Sequence, residues 1–143
     1  MLRQIGLGAV LVLATTLIHA LCTGFALHTL ATRRVQHWAG RSHLRPVLLV
    51  AACVLLLFFA STIEAALWAS MYVYLGAIAG FEEAFYFSTV AFTTLGFGDV
   101  TLREQWRLIG AFEAATGTIM FGWSTALVFA FIQRAVSVRR SSD

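Results

Sequence analysis

The chain has 143 residues, of which 59% are hydrophobic and only 12% charged, against about 25% charged in an ordinary soluble domain. So few charges cannot cover the surface of so small a domain, which excludes a soluble enzyme, a disordered tail and a water-exposed nucleic-acid binder and leaves an integral membrane protein. The net charge of +3 rests on ten basic residues, all of them arginine. In a membrane chain arginines mark the cytoplasmic flanks of spans rather than a polyanionic partner.

Between Arg3 and Arg33 no charge appears. About 20 apolar residues suffice to cross the hydrocarbon, so residues 1–32 are expected to be a first membrane helix, from about Ile5 to Leu30. A cleaved signal peptide has an apolar region of roughly 7–15 residues, shorter than this run, and Leu21 before Cys22 argues against a lipoprotein site. Cys22 and Cys53 lie in apolar runs and read as packing residues. His19 and His28 likewise read as bonded packing residues rather than ligands. Residues 33–45 form a polar hinge with four arginines, His37, His43 and Trp38.

Pro46 suits a helix start, where its missing N–H is no loss. From Pro46 to Phe81 only Arg-free, nearly uncharged sequence follows, interrupted by Glu64. These 36 residues would make a rod of about 54 Å, well beyond a hydrocarbon core of about 30 Å. The expected span is therefore 46–70, with Met71 to Gly80 as a connector. Residues 82–93 are expected to form a short helix, with Glu82 and Glu83 at the positive end of its dipole. It ends abruptly at Thr94 and returns to the same side, because irregular backbone at membrane depth must be protein-buried or line water. A third span follows over 106–133, and 134–143 is a short tail.

A re-entrant segment keeps both its flanks on one side. The hinge and tail then carry seven arginines and the opposite side three, which puts the hinge and C-terminus in the cytoplasm and the N-terminus outside. The expectation is a multi-pass protein of the cell (inner or plasma) membrane, in contact with the lipid bilayer.

The informative stretch is Thr93-Thr94-Leu95-Gly96-Phe97-Gly98-Asp99. A dehydrated cation needs a cage of oxygens, and backbone carbonyls are the densest source. Successive carbonyls face one axis only if alternate residues adopt left-handed angles, which glycine reaches freely. The stretch resembles the selectivity filter of potassium channels, the TVGYG loop, with Leu95 for the usual Val and Phe97 for the usual Tyr. The resemblance covers about Pro46 to Ile132 and is greatest to the small bacterial members of the two-transmembrane pore family. It implies an all-α membrane fold: outer helix, pore helix, filter loop and inner helix, here with an extra N-terminal span, assembled as a homotetramer.

The resemblance implies that Thr94, Leu95, Gly96, Phe97 and Gly98 form the filter, with carbonyl rings from Thr94 to Phe97 and potassium ions as the permeant ligand. Asp99 would give an anionic ring at the outer mouth that concentrates cations. Leu95 and Phe97 would wedge against the pore helix, where Tyr86 and Phe87 form an aromatic cuff. Glu64 and Glu113 are costly in lipid; either protonated or bonded to Ser88, Thr89 or Thr93, they are expected to support the filter. Gly117, 19 residues after Gly98, falls near the family's inner-helix hinge, while Gly110 and Gly122 read as packing glycines. Thr118, Phe121, Thr125 and Phe129 share one helix face and would line the cavity, with Phe129 or Val128 as its inner constriction.

No cofactor, nucleic acid or small-molecule substrate is implied. Two glycines without a third and without a βαβ unit do not make a dinucleotide loop, and no HExxH or GxSxG motif marks an intramembrane enzyme. The remaining alternatives are a weakly selective cation pore and a non-conducting accessory subunit. No helix carries the regularly spaced arginines of a voltage sensor, and the residues after Ile132 are too few for a ligand-binding domain.

Overall fold

The computed structural model describes residues 2–32 and 44–140; residues 33–43 of the expected 33–45 hinge and the last three residues of the tail lie outside them, while Leu44 and Arg45 open the second helix. Among the described residues four α-helices follow one another: α1 (Leu2–Ala31), α2 (Leu44–Tyr74), α3 (Phe81–Phe92) and α4 (Arg107–Arg140), with a 3-10 turn at Glu104–Trp106 before α4. Among the described residues there is no strand. Three of the helices are long and apolar enough to span a membrane, over Leu2–Thr29, Leu44–Tyr74 and Glu104–Gln133. This is a multi-pass, all-helical membrane protein.

Boundaries differ from expectation where a breaker is absent. The outer helix continues past residue 70 to Tyr74, because nothing before Gly76 stops it. There the Gly76 N–H bonds the Val73 carbonyl and the Ala77 N–H bonds the Tyr72 carbonyl, with Gly76 at φ +63°. This is a Schellman stop, in which the left-handed residue is the usual glycine. The inner helix runs past residue 133 to Arg140, since neither glycine nor proline interrupts the sequence there.

The buried residues of α2 (Cys53, Leu57, Ala60, Glu64, Ala65, Trp68, Ala69 and Tyr72) recur every three or four positions and form one stripe. They feed two apolar centres. One joins Leu11, Trp68, Tyr72, Ala84, Phe92, Ile109 and Met120 around α3. The other joins Ala26, Cys53, Leu57, Leu127 and Phe131 at the opposite end of the spans. A side-chain amide of Gln4 donates to the carbonyl of Gln105, so the start of α1 lies at the same end of the bundle as the loop before α4. Outward faces such as Val10, Leu17 and Ile63 stay exposed in the single chain, as a lipid-facing surface requires.

Candidate functional site

The short helix α3 opens at Gly80, which lacks a side-chain cap, and carries Glu82 and Glu83 in its first turn. Its other end makes the site. The Thr94 N–H bonds the Ala91 carbonyl at 2.9 Å and the Leu95 N–H bonds the Val90 carbonyl at 3.0 Å. This is a second Schellman stop, but its left-handed residue is Thr94, at φ +60°. A β-branched residue in that region is an outlier, costing about 1–2 kcal/mol relative to right-handed backbone. Beyond it Gly96 and Gly98 are left-handed too, at φ +58° and +79°. Residues 94, 96 and 98 therefore alternate with Leu95 and Phe97, the pattern that turns successive carbonyls toward one side. The two glycines were readable from sequence; the left-handed Thr94 was not.

The strip is uncovered in the protomer. Leu95 is 60% and Phe97 64% exposed, so the wedge expected against the chain's own pore helix is not made within one chain. Asp99 follows the strip. The Tyr86 hydroxyl donates to Asp99 Oδ2 at 2.6 Å, and the Val100 N–H donates to Oδ1 at 3.0 Å. The Tyr86 hydroxyl holds the Asp99 carboxyl below its ordinary range, and the same bond raises the Tyr86 phenol.

Phe87 turns away from the strip. Its ring meets Tyr72 edge to face at 5.2 Å, so Tyr86 and Phe87 serve different partners from adjacent positions of α3. Tyr72 in turn donates to Glu113 Oε2 at 2.7 Å, and both are fully buried. Behind α3 there is thus a linked group of Phe87, Tyr72 and Glu113. Ser88 Oγ and Glu113 Oε1 are buried without a hydrogen-bond partner among the described residues. Tyr72 was missed because its position fell in the expected connector; the need of Glu113 for a donor was the signal that could have found it.

Glu64 does not join this group. Its Oε1 lies 3.0 Å from His19 Nδ1 of α1, so the expected support of the filter is corrected to a contact with the first helix. The reason is the helix stripe: Glu64 faces α1 alongside Trp68, whose Nε1 donates to Thr15 Oγ1 at 3.2 Å.

Gly117 has a packing cause. A Cβ there would overlap the carbonyl oxygen of Phe92 and lie 2.7 Å from its carbon, so only glycine lets α4 touch the end of α3. Gly110 is less tightly placed, with a Cβ 3.1 Å from the Leu102 side chain, whereas Gly122 faces open space in the single chain. Thr118, Phe121, Thr125 and Phe129 all lie exposed on α4, with Val128 half-buried beside them. Next to this face is a cavity of about 450 Å³ lined by residues of α2, α3 and α4, among them Phe58, Thr93, Phe121 and Thr125.

The arrangement of outer helix, short returning helix, alternating strip and inner helix is that of an ion-channel pore. The family model described as "Ion channel" matches residues 47–134, and the chain belongs to this family. Helix α1 lies outside the matched segment. No curated protein and no solved structure matches the chain.

Proposed function

We propose that four copies of this chain form a potassium-selective channel in the cell membrane, with the N-terminus outside and the hinge and C-terminus in the cytoplasm. The supporting observation is the alternation of left-handed Thr94, Gly96 and Gly98 with Leu95 and Phe97. One strip offers carbonyls from one side only. Four strips around an axis close rings of oxygens from Thr94 to Phe97 that replace the water of a cation. The Thr94 hydroxyl adds an innermost ring.

Exposure of Leu95 and Phe97 fits the same reading, since neighbouring copies cover such groups. Asp99 supplies negative charge at the outer mouth, held in place by Tyr86. The exposed face with Thr118, Phe121, Thr125 and Phe129 lines the aqueous cavity, and Tyr72, Phe87 and Glu113 brace the pore helix from behind.

One observation favours a second reading, a weakly selective cation pore. Phe97 has no hydroxyl to tie the strip to the surrounding aromatics, so the width of the rings rests on packing alone. Purified protein in liposomes tests conduction. Potassium-driven flux supports the channel, and its absence in protein that crosslinks as a tetramer supports an accessory subunit.

A further inference from the structure

Helix α1 carries a polar cluster that the pore does not use. His19, at mid-helix, is fully buried, with Nδ1 3.0 Å from Glu64 Oε1 on α2 and Nε2 3.1 Å from Ser124 Oγ on α4. Its ring also meets Trp123 edge to face at 5.6 Å. Glu64 is fully buried as well. Separating the pair would leave a polar or charged group unmatched in apolar surroundings.

A second grip lies nearer the N-terminus. Phe112 of α4 fills the notch left by Gly8, where a Cβ would come within 2.6 Å of its ring, and Gln4 bonds the Gln105 carbonyl. Helix α1 therefore holds α4 on both sides of Gly117, at 112 before it and at 124 after it, and also grips the preceding turn at 105. The two grips on α4 itself are about 18 Å apart along the helix.

We propose that α1 is a built-in restraint on the inner helix, fastened by the buried His19–Glu64–Ser124 cluster. The Gly8–Phe112 grip fixes α1 beside the half of α4 that packs on the pore helix. The Ser124–His19 grip holds the half that carries Thr125, Val128 and Phe129. That half leaves its present position only by breaking the Ser124 contact or by taking α1 with it. The second route also breaks the bonds of α1 to Glu64 and Trp68, which have no water to replace them. The restraint stands on these contacts; only its effect on current rests on the channel reading.

Ser124→Ala removes the Ser124–His19 hydrogen bond and leaves His19 on Glu64, with Ala26 still packed against Leu127 and Phe131. In lipid nanodiscs, amide hydrogen exchange over residues 118–132 should rise about fivefold, the scale of one hydrogen bond, with residues 105–112 unchanged. Thr15→Val, which loosens α1 from α2 only, should leave 118–132 as in the parent. In single-channel records Ser124→Ala should shift the open-to-closed ratio by a similar factor at unchanged unitary conductance. Exchange equal to the parent in Ser124→Ala, or an equal rise in Thr15→Val, overturns the restraint. A rise in exchange with an unchanged open-to-closed ratio overturns its control of the pore. If the parent carries no current, the exchange result still decides the restraint while the channel reading fails.

Discussion

Thr94 shows a conflict between local preference and position. A glycine would satisfy the left-handed Schellman site at the end of α3, as Gly76 does at the end of α2, yet a threonine occupies it at φ +60°. Strain of this kind persists where a side chain has a task, and in the proposed channel that task is the hydroxyl ring. Thr94→Gly should leave thermal stability equal to or up to about 1 kcal/mol above the parent while reducing selective current. Gly96→Ala and Gly98→Ala act in the opposite sense. Each puts a Cβ on left-handed backbone and should abolish selectivity without preventing membrane insertion; unchanged selectivity in either would remove the filter assignment. Asp99 combines a charge and a bond. Asp99→Asn should reduce inward unitary conductance most in dilute salt and converge with the parent at high salt, because screening shortens from about 30 Å at 0.01 M to about 3 Å at 1 M. A deficit equal at all salt concentrations would assign the effect to the Tyr86 bond alone. Since that bond lowers the Asp99 carboxyl, its stabilising contribution is present above the ordinary carboxylate value of about 3.9 and is lost as pH falls through the lowered one. Tyr86→Phe should therefore move the acid loss of inward current to higher pH, read from current against external pH.

At the scale of elements, the contact between α3 and α4 depends on Gly117. Overpacking a closed site typically costs about 1–3 kcal/mol, and here the obstacle is backbone, the Phe92 carbonyl, which has no rotamer to yield. Gly117→Ala should lower the thermal stability of the assembled protein by an amount at or above that range; a hinge without packing would lose gating and keep its stability. The spans, the returning helix and the strip were legible in the sequence because charge gaps, dipole-compatible glutamates and paired glycines are local signals. The partners of the buried polar groups were not. Glu64 and Glu113 look alike in sequence, each a lone carboxylate in an apolar run, and which neighbour each meets depends on helix rotation and on α1. The same holds for Tyr72, which becomes a core residue because α2 has no breaker until Gly76. The family module gave no information on α1, whose contacts at Thr15 and His19 are set by the polar positions of two other helices.

For the whole molecule, the end-to-end placement of α1 predicts three crossings. A reporter fused in the 33–45 hinge should read cytoplasmic and one at the N-terminus external; the reverse would overturn the orientation, which rests on seven arginines against three. The exposed strip predicts an assembly, and crosslinking in the bilayer should stop at a tetramer. The central claim is selective conduction through the alternating strip, and the reversal potential tests it most directly. With a tenfold potassium gradient across a planar bilayer and sodium making up the balance, a potassium-selective pore reverses at the potassium equilibrium potential, about 59 mV from zero. Reversal near zero, with current still carried, would contradict selectivity and leave an unselective cation pore.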